Sequence, residues 1–107
     1  MSKTIVVTGA TTGIGAALRE HLQAEGHQVI NVDIRDADIV ADLTTVVGRT
    51  AALQAITTQY PEGIDGFVPC AGLGPQHPSF SRIVSLNFFA VRAMTEALLP
   101  LLLKKKG

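Results

Sequence analysis

At 107 residues the chain has room for one small domain and no second one, and 47% apolar residues with a formal net charge of zero fit a soluble globular protein. The neutral balance argues against nucleic acid as a partner, and the single cysteine, Cys70, rules out an intramolecular disulfide and leaves a reducing cytoplasm as the expected location. The N-terminal apolar run is too short for a signal segment, no window is expected to reach membrane-span length, and no histidine or acidic cluster has metal-ligand spacing, so neither a membrane nor a metal is expected.

Thr4 to Val7 is short and β-branched, as a buried parallel strand should be. After it comes Thr8-Gly9-Ala10-Thr11-Thr12-Gly13-Ile14-Gly15, and then Ile14, Leu18 and Leu22 recur at helical spacing until Gly26 closes the helix. The glycine stretch is thus a strand-to-helix turn suited to phosphate. Gly9 lets the chain leave the strand sharply, Gly13 removes a Cβ that would block a pyrophosphate, and Gly15 lets the first helical turn lie close on the sheet. The free N–H groups of that turn and the helix dipole favour an anion. Gln28 to Asp33 is a second strand ending in a carboxylate eighteen residues past Gly15, about the spacing at which a dinucleotide fold sets an acid on the adenosine ribose. A carboxylate there accepts from the ribose diol and repels a 2′-phosphate, which predicts NAD(H) over NADP(H). Arg35, close behind, is the one group that could meet such a phosphate.

Only Ile34 to Asp38 separate the second strand from Ile39-Val40-Ala41, too few residues for a crossover helix, so a bare loop is expected. Thr44 or Thr45 caps the next helix, along which Val46, Leu53, Ile56 and Tyr60 keep helical spacing until Pro61 ends it. Gly63 to Gly66 turns into a fourth strand, Phe67-Val68, which stops near Cys70 because Pro69 lacks a ladder N–H. Leu73 to Ser81 is a loop whose His77 is expected to be exposed and idle, like His21 and His27. From Arg82 a helical stretch carries Ile83, Leu86, Phe89, Val91, Met94 and Leu98, with Asn87 a lone amide among apolar residues and Pro100 interrupting the run from Leu98 to Leu103. Leu86, Phe88, Phe89, Val91 and Leu99 cannot all face one sheet. Lys104 to Lys106 is the solvated helix end.

The glycines at positions 9, 13 and 15 are spaced TGxxxGxG, and together with Asp42-Leu43, Cys70-Ala71-Gly72 and Asn87 they resemble the short-chain dehydrogenase/reductase family over nearly the whole chain. A closer likeness, to the bacterial 3α-hydroxysteroid dehydrogenase/carbonyl reductase subgroup, rests on Gly26-His27-Gln28, on Asp33 to Asp38 with Ala41-Asp42-Leu43, and on Cys70 to Gln76. The subgroup shares the missing crossover helix. Pro69 departs from the family, which carries an aliphatic residue there.

The resemblance implies an α/β fold of the Rossmann type, a doubly wound parallel sheet ordered 3-2-1-4 in this part, with residues 1–107 forming the NAD-binding N-terminal part of a single dehydrogenase domain. It implies cofactor contacts from Gly9, Thr11, Thr12, Gly13, Ile14, Gly15, Asp33, Ile34, Arg35, Asp42, Leu43, Cys70, Ala71 and Gly72, with Asp42 accepting from the exocyclic amine of adenine and Leu43 giving backbone contacts. Asn87 matches the family's active-site asparagine, which helps hold a water in the proton relay. Family chemistry is hydride transfer between nicotinamide and a secondary alcohol or ketone, here a hydroxysteroid or another carbonyl compound, in a homo-oligomer (dimer or tetramer). A tyrosine serves as acid/base, a lysine lowers its pKa, and a serine steadies the oxygen.

This chain has one tyrosine, Tyr60, and no Tyr-x-x-x-Lys. It therefore reads as the cofactor half of such an enzyme, expected to be inactive alone. Two other classes fit the residues as well: a non-catalytic dinucleotide sensor, and a structural or assembly module that uses the last helix as a partner face.

Overall fold

The protein is described by a computed structural model over residues 2–106. In chain order it forms β1 (Thr4–Thr8), α1 (Gly13–Ala24), β2 (Gln28–Asp33), β3 (Ile39–Val40), α2 (Val46–Gln59), β4 (Gly66–Pro69), α3 (Phe80–Val84), a π-helical turn (Ser85–Ala90) and α4 (Val91–Lys105). All four strands are parallel in the order β3-β2-β1-β4, with Val6 opposite Ile30 on one side and Phe67 on the other. This is the doubly wound order anticipated from the sequence.

Strand alternation divides the core between two faces. Val6, Ile30, Val32 and Ile39 turn to the face covered by α2 and α4, where they meet Ile56, Met94 and Leu98; Val7 and Val29 turn to the other face, against Leu18 and Leu22 of α1. Asn31 falls in the second set by the same alternation, on the side where the glycine turn lies. In α2 the buried positions are Ala52 and Ile56, while Val46, expected on the apolar stripe, is 68% exposed in the first turn.

The loop Ile34–Asp38 carries no helix. Asp36 takes a left-handed conformation (φ 51°), and the Asp38 carboxylate accepts the Asn31 N–H at 2.8 Å, supplying an acceptor where the two-residue β3 has no backbone left to offer. At the other side of the sheet, Cys70 N–H donates to the Thr8 carbonyl. Alternation then points the nitrogen of Pro69 away from β1, so its missing donor falls on the outer edge, where proline is tolerated.

The last helical stretch begins at Phe80 rather than Arg82, because the Ser79 hydroxyl caps it by accepting the Arg82 N–H. Pro100 does not break it; the carbonyl its absent N–H would have met belongs to Glu96, an exposed residue. Phe80–Lys105 is consequently one run of 26 residues containing an 18-residue stretch of mean hydropathy 1.4, long and apolar enough by length and composition to cross a membrane, contrary to the sequence expectation. Its packing is that of a layer helix, with Ala90, Met94, Leu98 and Leu101 buried against the sheet.

The opposite side of this run is bare. Phe88, Phe89, Leu99 and Leu103 are each about half exposed or more, and the two phenylalanine rings touch edge to face at 5.2 Å. Each large apolar side chain left in water forgoes roughly 1.5–3 kcal/mol, against a typical net stability of about 5–15 kcal/mol. The isolated 107-residue chain is therefore expected to self-associate, and light scattering checks this; a monodisperse, well-folded monomer is the contrary result.

Candidate functional site

Where the strand order reverses, at the C-terminal ends of β1, β2 and β4, the surface opens into a cleft of about 490 Å³. Its floor is the glycine turn, with Gly9 and Thr12 to Gly15; one wall is Asp33 to Arg35 and Ala41 to Thr44, and the other is Cys70 to Leu73 with His77, Arg82 and Leu86. This volume is in the range of small-molecule sites. Ile14 and Ile34, 85% and 52% exposed, give the rim apolar surface that no part of the described chain covers.

The turn is built by close approach. A Cβ on Gly15 would overlap the Gly9 carbonyl, and one on Gly9, itself at φ +71°, would sit 2.7 Å from the Ala71 Cα. Gly13 differs: it needs its positive φ, but the space a side chain would take is open. Thr12 stands at the N-cap without a side-chain capping bond, and the first amide to close on its carbonyl is that of Ala16. The first-turn amides of Gly13, Ile14 and Gly15 thus have no intrahelical acceptor and border the cleft, an arrangement that suits an anion.

One buried amide holds this turn to the sheet. Asn31, with no exposed surface, accepts the Ala10 N–H through Oδ1 and donates from Nδ2 to the Thr11 hydroxyl, both at 2.9 Å. That hydroxyl donates onward to the Arg35 carbonyl, and the Thr11 N–H points to Asp33 Oδ2 at 3.4 Å. Thr11 is therefore turned toward the β2 end and does not line the cleft. Sequence reasoning passed over Asn31, yet the signal was there: a polar residue between Ile30 and Val32 in a buried strand must find a partner.

Asp42 is held on three sides. Its Oδ1 accepts the Thr44 hydroxyl at 2.6 Å and the Thr44 N–H at 3.0 Å, and its Oδ2 accepts Nη2 of Arg82, forty residues away, at 3.3 Å. Hydrogen bonding from the Thr44 hydroxyl, helped by its N–H and by Arg82 and opposed by partial burial, keeps the carboxyl below its ordinary value of 3.8. Gly48 allows this arrangement, because a side chain there would collide with the Asp42 carbonyl at the start of α2. The N-cap of α2 is Thr45, whose hydroxyl accepts the Gly48 N–H, so Asp42 precedes the cap and does not replace it.

The opposite wall is tied by side chain to backbone. The Thr8 hydroxyl accepts the Ala71 N–H, and Asn87, in the π-helical turn, accepts the Leu73 N–H at 2.8 Å and donates to the Leu73 carbonyl at 2.9 Å. Asn87 sits behind this wall and does not itself line the cleft. His77 is among the residues bordering the cleft, its Nδ1 accepting the Ser79 N–H. Tyr60 is far from all of this, its hydroxyl accepting from Gln28 at the start of β2.

No family model matches the sequence. Among curated proteins it is 48% identical to a 3α-hydroxysteroid dehydrogenase/carbonyl reductase of Comamonas testosteroni, over 96% of this chain and 39% of the relative, and 36% identical to a coniferyl-alcohol dehydrogenase of a Pseudomonas species, over 92% and 39%. Among solved structures, a 3α-hydroxysteroid dehydrogenase from Pseudomonas sp. B-0831 complexed with NADH superposes with a TM-score of 0.86 at 42% identity, over 89% of this chain and 37% of that one.

The chain belongs to the short-chain dehydrogenase/reductase family.

It spans about two fifths of the length of the curated relatives it matches. The glycine turn, the carboxylate ending β2, Asp42-Leu43 and the Cys70 to Gly72 wall line one cleft, and Thr11 and Asn87 lie outside its lining.

Two outcomes follow from this geometry. Asn31→Ala leaves the Ala10 N–H buried without its acceptor, and is expected to cost about 1–3 kcal/mol in a denaturation midpoint. Because the folded pKa of Asp42 is depressed, its stabilising effect is complete above the unfolded value and is lost as pH falls through the folded one, which lies lower. The stability gap between wild type and Asp42→Ala should therefore be steady near neutral pH and narrow below pH 3.8, as followed by urea titration across the acid range.

Proposed function

We propose that this protein is an NAD(H)-dependent oxidoreductase that transfers hydride between nicotinamide and a secondary alcohol or ketone, with hydroxysteroids or similar carbonyl compounds as the substrate class, and that residues 1–107 are its cofactor-binding part. The observation that carries this reading is the unfilled first turn of α1 facing the same cleft as the Asp33 carboxylate. Pyrophosphate takes the amides of Gly13, Ile14 and Gly15, and the ribose diol takes Asp33. Ile14 and Ile34 give the cofactor apolar cover, and Arg35 flanks the ribose. Asp42 and Leu43 receive the adenine, and Cys70, Ala71 and Gly72 run along the nicotinamide half. The relative complexed with NADH and the hydroxysteroid dehydrogenases among the relatives support both cofactor and substrate class.

When bound, the dinucleotide supplies the hydride acceptor or donor. The chain's own residues bind it, orient it and fix the Cys70 to Leu73 wall through Thr8 and Asn87. After its two bonds to Leu73, Asn87 keeps one N–H and one acceptor lone pair, enough to steady a water of the proton relay. The acid/base tyrosine and its lysine are not among these 107 residues, so this stretch by itself binds cofactor and turns nothing over. In the working enzyme a homo-oligomer covers the bare side of the long helix.

Titrating the protein with both cofactors tests the assignment. A charge-assisted hydrogen bond to the ribose contributes roughly 1.5–3 kcal/mol, so NAD(H) should bind on the order of tenfold or more tightly than NADP(H). Asp33→Ser should erase that preference. Tighter binding of NADP(H) by the wild type would assign the pocket to the phosphorylated cofactor through Arg35.

A further inference from the structure

The cleft contains one charged contact that spans it. Arg82 stands in the first turn of its helix, a segment that follows β4, whereas Asp42 lies in the connection between β3 and α2. Their side chains, both lining the cleft, meet at 3.3 Å with 44% and 34% of their surfaces exposed. A surface pair of this kind contributes little to stability. Its geometry gives it a different use. Thr44 occupies Oδ1 twice, so the acceptor capacity left to the cleft lies on Oδ2, the oxygen that Arg82 holds. A carboxylate oxygen can accept two donors, and Arg82 fills one place.

We propose that Arg82 is a positioning residue for purine recognition: it fixes Asp42 Oδ2 so that the remaining lone pair accepts an exocyclic amine, selecting a 6-amino over a 6-oxo purine. This rests on the reading of the cleft as a dinucleotide site. A 6-oxo group presents a lone pair to the same carboxylate and is repelled, and the contrast is sharp only if the carboxylate is held still. The other guanidinium N–H groups make no hydrogen bond among the described residues, which leaves the planar group room to lie beside a base without releasing Asp42.

The test measures dissociation constants of AMP, IMP and nicotinamide mononucleotide by calorimetry, on the protein as its gene encodes it, for wild type, Arg82→Ala and Arg82→Lys. Arg82→Ala is expected to weaken AMP about fivefold, to change IMP much less, and to leave the mononucleotide unaltered, with Arg82→Lys recovering part of the AMP loss. A uniform loss for all three ligands would mark a general structural role and overturn the proposal. Unchanged or tighter AMP binding in Arg82→Ala would overturn it too, since the arginine would then be a bystander or a competitor of the base. If wild type binds none of the three, the dinucleotide reading itself fails, and the proposal falls with it.

Discussion

A single buried amide sets the geometry on which everything else in the cleft depends. The glycine turn has few side chains of its own with which to hold a shape, and its amides must stay free to face a ligand. Asn31 resolves this from the neighbouring strand, holding the Ala10 N–H and the Thr11 hydroxyl while its own N–H is held by Asp38. The turn, the end of β2 and the bare crossover loop are thereby one connected polar unit inside an otherwise apolar layer. Such a unit is stable only when fully satisfied; among the described residues no buried side-chain polar atom lacks a partner.

That unit also explains how a short-chain dehydrogenase can omit a crossover helix. Five residues suffice between β2 and β3 because Asp38 replaces a ladder acceptor and Asp36 turns the chain through a left-handed conformation. Asp42 follows β3 and lines the cleft, and Gly48 lets the start of α2 pack against its carbonyl. The acidic residues of this region thus divide their labour by position: Asp38 is structural, Asp33 ends its strand at the cleft, and Asp42 is oriented by Thr44 and Arg82.

The far wall is organised differently. Cys70 to Leu73 has no regular structure and is fixed by Thr8 and Asn87, each of which bonds the backbone. Asn87 lies in a π-helical turn, a local widening of the helix that is frequent at functional sites. The long helix that carries it is buried along one stripe and bare along another, so its exposed phenylalanines and leucines belong to the same problem as the open edge of β4: both are surfaces that a sheet layer leaves for something else to cover.

The sequence alone determined the elements that follow from short-range chemistry. The β-branched strands, the glycine turn, the acid ending β2 and the five-residue crossover are dictated by spacing and backbone sterics, and each lies where those rules put it. What only the tertiary structure decided are the contacts between residues far apart in the chain. Asn31 reaching the turn, Thr8 holding Ala71, and Arg82 meeting Asp42 depend on strand order and on which face each side chain takes. The length of the last helix belongs with them, because whether Pro100 breaks a helix depends on whether the carbonyl it orphans can reach water, and burial is a property of the packed molecule.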